Sequence, residues 1–421
     1  MEFNNSQTKQ KRTNKQNMKQ ISILVAVLLT GAVGGYGQDI KEKFNPVQTA
    51  VVSQSIAPDA RAGGMGDIGA ATEPDVNSQA WNAAKYPFAI SKGGIAVNYT
   101  PWLKQIVNDI DLAYMAGYYR LGDYQAISGS LRYFSLGDVS TKYGGDDVDM
   151  TIRPYEFAVD AAYSRMLSEK FSAAVTLRYI YSDLTGNYDD GSKPGSAFAT
   201  DLAGYYNTYV NSGSRECQLS IGFGVFNLGS KINYGDDYSY FLPTTLRLGF
   251  NYTIPVNEYN RISFCADVNK LLVPTYPTDA QCAKKLGYTT NDGEDHTAEY
   301  QKYREENYYN ISAISGIFKS FGDAPNGFSE ELEEIQWSVG MEYTYNDKFS
   351  LRAGYHHEAE TKGNRKYFTV GAGFRMNVFS LDAGYVISTA ASNPLDQTLR
   401  VTLGFDLDGI KDILSRGRRR Y

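Results

Sequence analysis

From residue 89 onward the chain repeats one kind of segment, about ten residues in which apolar and polar positions alternate. In FSAAVTLRYIYS, Phe171, Ala173, Val175, Leu177, Tyr179 and Tyr181 share one phase. Ser172, Ala174, Thr176, Arg178 and Ser182 take the other, with Ile180 as the exception. QWSVGMEYTY sets Trp337, Val339, Met341, Tyr343 and Tyr345 against Ser338, Gly340, Glu342 and Thr344, and FSLRAGYHHE, YFTVGAGFRM and LRVTLGFDL show the same alternation. A period of 2 over such lengths predicts strands with one dry face. Fourteen segments fit, near 89–99, 109–120, 124–136, 154–167, 171–183, 195–208, 215–227, 244–254, 260–272, 334–345, 349–359, 366–376, 379–388 and 398–407.

A soluble sandwich would alternate too, so the connections matter. LGDY, LSEK, NSGSR, PVNEYN, YNDK and RMNVF are short, and between them lie the long links 137–153, 184–194, 228–243 and 273–333. The apolar phase is often aromatic towards segment ends, while the polar phase carries Gly, Ser and charges. Apolar-out, polar-in strands with aromatic girdles and alternating short and long connections describe a transmembrane barrel of the outer-membrane type. The expected fold is therefore all-β, a fourteen-stranded antiparallel barrel over 89–407, with 273–333 as a long extracellular insertion. An even strand count puts both termini in the periplasm and the long links outside the cell. On this register an arginine replacing Leu177 faces lipid, and one replacing Thr176 faces the more forgiving lumen.

The polar phase is heavily charged. Arg132, Arg178, Arg247, Arg352, Arg375 and Arg400 fall on it, with Asp111, Asp160, Asp201, Asp267, Glu342, Asp382 and Asp406. Opposite charges across a narrow bore neutralise one another, and an unpaired one is costly. A structural ion network and a substrate channel both fit that pattern.

The N-terminus changes the picture. Basic residues precede ISILVAVLL, and small residues lie between it and Gly37, which describes a secretory signal peptide over 1–37. Met18 is an alternative start, and the apolar run is too short to span a bilayer. Residues 38–88 are polar and rich in glycine, and they hold Gly64-x-Gly66-x-x-Gly69, the spacing of a dinucleotide fingerprint. That fingerprint needs a buried parallel strand before it and a helix after it. SQSIAPDARAG supplies no such strand, and Pro74 interrupts the stretch after the glycines, which has no apolar helical stripe. A periplasmic hatch inside the barrel explains the glycines better: Gly63, Gly64, Gly66 and Gly69 allow close backbone approach, Asp59, Arg61 and Asp67 meet luminal charges, and Asn82 begins a turn.

Composition removes several function classes. A net charge of −6 and a pI near 5.3 argue against nucleic acid as a partner. The only notably basic stretches are the leader and the periplasmic tail, 408–421. Cys217, Cys265 and Cys282 lie on the outward phase, the inward phase and the long insertion, so no disulfide is expected. His356 and His357 are adjacent on one strand and point to opposite faces, so they cannot share a metal. No metal or cofactor site and no nucleophile–base pair emerge, and the chain is expected not to be an enzyme. A lipid-modifying role would rest on His356, the only histidine on the luminal phase.

SIAPDARAGGMGDIGAATEPDVNSQAWNAAKYPF resembles the N-terminal hatch of the FadL-like long-chain fatty-acid transporters, with Asn82-Ala83-Ala84 in place of that family's Asn-Pro-Ala-like turn. Longer strings, among them NYTPWLKQIVNDIDLAYMAGYYRLGDYQAISGSLRYFSLG and PYEFAVDAAYSRMLSEKFS, are similar to the PorV family of outer-membrane shuttle proteins of type IX secretion. The resemblance is weakest over 273–333. It implies a protein that binds the C-terminal signal domain of secreted cargo. Such a protein collects cargo from the translocon and delivers it to an attachment complex, where a PorU-like sortase joins it to lipopolysaccharide. The alternative is a FadL-like importer of hydrophobic molecules. If cargo is bound, the long links must bind it, and Tyr234, Asp236, Asp237, Tyr238 and Tyr240 form a candidate cargo-facing loop.

Overall fold

The computed structural model describes residues 44–103, 107, 109–143, 148–185, 193–288, 295–389 and 395–411. The expected signal peptide, residues 38–43 and the basic tail beyond 411 lie outside the described residues. The strands are β1 (Gly93–Pro101), β2 (Ile110–Arg120), β3 (Gln125–Leu136), β4 (Val139–Tyr143), β5 (Val148–Ile152), β6 (Tyr155–Ser168), β7 (Phe171–Asp183) and β8 (Gly195–Ser212). They continue as β9 (Arg215–Gly229), β10 (Thr245–Pro255), β11 (Asn260–Leu271) and β12 (Ile335–Tyr345). The last are β13 (Phe349–His357), β14 (Lys366–Arg375), β15 (Phe379–Ser388) and β16 (Leu399–Asp406). Fourteen of them close an antiparallel barrel, and β4 with β5 forms a separate hairpin in the first long link. Closure joins β1 to β16 from Gly94↔Asp406 to Tyr99↔Val401.

The phases separate as the alternation requires. Leu177 is 67% exposed and Phe198 71%, while Thr176 is 2% exposed. Ile180, which broke the alternation, faces inward and is fully buried with Ala158, Ala197 and Ile232. A ring of exposed Val, Leu, Ile and Phe around a closed sheet is a surface for lipid, not water. Aromatic side chains gather at both rims. Tyr133, Tyr155, Tyr181 and Phe157 pack at centroid distances of 5.3–5.9 Å on the long-link side. Phe349 and Phe374 meet at 4.9 Å on the short-turn side.

The bore is occupied. Asn45 donates its amide to the Thr361 carbonyl (2.8 Å), Ala50 to that of Phe241 (2.8 Å), and the Tyr308 hydroxyl donates to the Gln48 carbonyl (3.3 Å). All three partners lie at the long-link end of the barrel. The chain then passes inward through a 3₁₀ turn, Val52–Ser55, and two short helices, α1 (Ala60–Gly63) and α2 (Ser78–Trp81). It reaches the short-turn half as a second 3₁₀ turn, Ala83–Phe88, packed on Tyr118, Ala126, Ala162, Ala174 and Tyr205. Residues 44–92 run the length of the bore, so the segment expected as a periplasmic hatch inside the barrel also reaches the opposite end, beginning among the long links. Residues 89–92, expected in the first strand, finish this segment instead.

The insertion after β11 is helical: α3 (Asp279–Leu286), α4 (Thr297–Arg304), α5 (Ala313–Lys319) and α6 (Phe328–Glu333). All three cysteines are free and buried. Cys217 keeps the outward phase and Cys265 the inward one, where its thiol donates to Asn251 Oδ1 (3.0 Å).

An arginine replacing Leu177 enters the lipid-facing band at mid-strand, at a cost of roughly 2–4 kcal/mol. Folding yield into lipid vesicles is expected to fall for Leu177→Arg and to stay level for Lys170→Arg in the exposed β6–β7 turn; equal yields would contradict the register. The forgiving lumen expected at Thr176 is corrected by packing. Thr176 pairs with Asp201 and Ala162 inside a filled bore, so Thr176→Arg is also destabilising, through overpacking.

Candidate functional site

The site is the contact between the N-terminal segment and the inward side chains of the wall. Asp59 caps α1, accepting from the Ala62 amide (2.9 Å) and from Trp81 Nε1 (2.6 Å). It was expected to meet a luminal charge, but both its oxygens bond within the segment. Arg61 lies in the turn that this cap begins. It pairs with Asp75 (2.9 Å) and with Glu342 of β12 (2.9 Å). Glu342 also holds Arg352 of β13 (2.6 Å), which reaches Asp382 of β15 (2.6 Å). One relay of alternating charge therefore runs from the segment across three wall strands.

A second group forms on β6, β7 and β8. Arg178 bridges Asp160 (3.0 Å) and Asp201 (2.8 Å) and bonds Asn227, while Gln79 of α2 donates to Asp160 (2.8 Å). On β16, Arg400 pairs with Asp67, which also accepts from the Tyr367 hydroxyl (2.6 Å). Asp267 of β11 accepts from the backbone amides of Gly69 (2.9 Å) and Ala70 (3.0 Å). The Asn82 amide donates to Ala70 and to Gly204 of β8 at 3.1 and 3.0 Å.

The glycines answer to the same closeness. A Cβ on Gly64 would lie 2.9 Å from Gly371 Cα of the wall. Gly66 combines φ +77° with a backbone approach to Tyr355 that would put a Cβ at 2.8 Å from its carbonyl oxygen. Only glycine tolerates that conformation without strain.

Three luminal expectations are corrected. Asp111 lies on the outward phase of β2, where it accepts from the Tyr99 hydroxyl (2.6 Å). Arg375 keeps the inward phase but is exposed at the short-turn rim. Asp406 spends its carboxylate on the amides of Asp408 and Gly409 (2.9 and 3.1 Å) and does not join the relay. Two charged residues are among those that escape a reading of the sequence. Asp75 completes the Arg61 site, and Lys85, 1% exposed, donates to the Gly69 carbonyl (2.8 Å) and Thr72 (3.1 Å). A lysine inside NAAKYPF, between apolar neighbours, was the available signal.

Between the segment and the long-link half of the wall lies a cavity of about 100 Å³, lined by Arg132, Arg178, Arg247, Arg365 and His356 among others. Above it the insertion closes on the candidate loop. Tyr234 is buried and bonds Ser182 (3.0 Å), Tyr238 stacks on Tyr309 (4.3 Å between centroids) and donates to Glu305, and the Tyr240 hydroxyl donates to Asp236. Only Asp237 among the five is exposed. The tyrosines of this loop hold the insertion in place, and apart from the buried Tyr234 its residues stay half-exposed or exposed. Beneath the insertion, Glu334 binds Lys270 (2.6 Å), Lys362 (3.1 Å) and the Thr275 hydroxyl (2.9 Å).

An apolar exterior, a closed antiparallel sheet and a charge-matched filling define a membrane-spanning β-barrel whose bore is packed by its own chain. A family model described as "Type IX secretion system protein PorV" matches residues 39–278, more than half of the 421 residues. The chain belongs to that family. Among solved structures it is similar to a Pseudomonas aeruginosa FadL homologue (10% identity, 86% of this chain and 99% of that chain, TM-score 0.41). It is also similar to the Pseudomonas putida toluene transporter TodX (10%, 82% and 95%, 0.44) and to the Acinetobacter baumannii outer membrane protein Omp33 (9%, 75% and 98%, 0.35). A search of curated proteins gives no match.

Removing Glu342 strands Arg61 and Arg352 in the bore. Glu342→Ala is expected to cost roughly 3–5 kcal/mol in reversible unfolding from lipid, and a change below about 1 kcal/mol would show that the relay is not structural. The insertion offers a pH test. Burial pushes the Asp323 carboxyl up to about 6, with Glu334 and Glu331 adding to the rise and the Thr275 amide opposing it. Because the folded value exceeds the ordinary 3.8, the folded insertion binds the proton more tightly. Its stability should rise as pH falls from about 6 towards 4. Hydrogen-exchange protection factors over 273–333, which remove the intrinsic pH dependence of exchange, should rise across that window in the wild type and lose this dependence in Asp323→Asn.

Proposed function

We propose that the protein binds folded secreted cargo, through the cargo's C-terminal signal domain, at the barrel end that carries the long links. It takes cargo from the translocon and passes it to the attachment complex with its PorU-like sortase. On this reading the barrel sits in the outer membrane with its long links at the cell surface, in contact with lipopolysaccharide. It performs no chemistry of its own. The observation that carries the reading is the occupied bore of a type IX secretion family member: with residues 44–92 threaded end to end, the surface left for a partner is the built-up long-link end. That end presents Ile314, Phe318, Phe328 and Leu332 on α5 and α6, each more than half exposed.

The importer reading is less well supported. A drug-sized hydrophobic ligand occupies a largely apolar pocket of roughly 300–1,000 Å³, whereas the cavity here is about 100 Å³ and is lined by arginines.

Interface anchors are large, exposed in the free protein and buried in the complex. Phe318→Asp combined with Phe328→Asp is expected to leave the barrel inserted and heat-modifiable, while cargo co-purified from detergent-solubilised outer membrane drops about tenfold or more. Wild-type recovery of cargo by the double variant would remove α5 and α6 from the binding surface.

A further inference from the structure

Arg61, Arg178, Arg352, Arg365 and Arg400, in the bore or at its long-link mouth, each touch a carboxylate. Arg132 and Arg247 have none within 4.0 Å among the described residues. Both line the same cavity. Arg132 comes from β3 and Arg247 from β10, five steps apart around a fourteen-strand ring, so they approach the cavity from well-separated parts of the wall.

Each guanidinium is held in place by neutral groups, and carboxylates act on it only from beyond ion-pair distance, Asp267 on Arg247 and Asp160 and Glu156 on Arg132. Arg132 donates to the carbonyls of Ser53 and Ile56 (2.9 Å to the latter) and lies over the Tyr114 ring at 5.2 Å. Arg247 donates to Asn269 Oδ1 (3.0 Å) and sits 4.9 Å from the ring centroids of both Trp81 and Phe226. Such clamping pre-pays the entropy of ordering two long side chains. Gln54 also lines the cavity, and its amide nitrogen has no hydrogen-bond partner. The two carboxylates on the lining are already engaged: Asp67 by Arg400 and Tyr367, Asp160 by Arg178, Gln79 and Ser130. What remains is a set of donors and positive charge around a small polar space, with no acceptor assigned to it.

We propose that this cavity is a binding site for one small oxyanion, a carboxylate or a phosphate, held between Arg132 and Arg247. Guanidinium groups match both anions through paired N–H donors. A volume of about 100 Å³ admits the anionic head and excludes a long acyl chain. The inference does not depend on the cargo reading, since an anion here would brace the segment against the wall whatever binds outside.

The test is calorimetric titration of the full-length protein in detergent with sodium acetate and, separately, with inorganic phosphate, at fixed sodium chloride. One saturable site per barrel is expected for at least one of them. Affinity should fall about tenfold or more in Arg247→Gln and stay at the wild-type value in Arg153→Gln, which alters an exposed arginine beside the hairpin. Binding of acetate alone identifies a carboxylate site, and phosphate alone a phosphate site. Should Arg247→Gln not fold, as judged by heat-modifiability, Arg132→Gln carries the same expectation. Heat only in proportion to concentration for both anions, or undiminished binding in a folded variant, overturns the proposal.

Discussion

A guanidinium sealed inside a closed barrel must find its counter-charge within that barrel. Arg61 finds Glu342, 281 residues away, and around this pair the rest of the interior is arranged. Glu342 can face Arg61 only because β12 keeps a strict inward phase, and Arg61 can reach it only because Asp59 begins a helical turn at the right depth. Arg352 and Asp382 then extend the same alternation of charge along the wall. With charges out of water, each member is stabilising only while its neighbours are present. The interior therefore behaves as a unit, and its packing, down to the Gly64–Gly371 approach, reflects how near segment and wall must come.

The long-link end has a different internal logic. There the holding forces are aromatic contact and a smaller charge cluster. Tyr276, Tyr308, Tyr309 and Phe241 pack edge to face at 5.1–5.4 Å for the closer pairs. Lys231, over the Phe241 ring at 4.2 Å, ties the link after β9 to the Tyr309 carbonyl (2.7 Å). Because these contacts turn inward, the tyrosine-rich loop stiffens the insertion, and Ile314, Phe318, Phe328 and Leu332 on α5 and α6 stay exposed.

The strands were legible because a half-buried strand writes a period of 2 into the sequence, and β6, β7 and β12 carry it nearly without fault. Legibility failed where the wall faces an apolar part of the segment. On β2 both phases are apolar, since Tyr114 and Tyr118 turn inward and Tyr118 stacks on Tyr86 at 4.6 Å; nothing local then told Asp111 which way to point. The helical insertion has short elements and no sustained period. The path of the segment was invisible for a different reason: the contacts that place residues 45–50 are made with Phe241, Tyr308 and Thr361, and no local pattern encodes such distant partners. For the candidate site, the charged residue types could be read from the inward phase, but who pairs with whom could not, because pairing depends on depth as well as on phase.

The threaded segment bears on how the ring comes to close. β16 meets the segment as well as its neighbouring strands: Thr402 accepts from the Ala60 amide (2.9 Å), and Arg400 grips Asp67. β1, its partner at the seam, continues directly from the segment. The last strand thus finds its full set of partners only when the core of the molecule is already in place. A hoop built this way is fitted around its axle rather than having the axle pushed through afterwards, and an empty hoop would close on a strand whose arginine had nothing to hold.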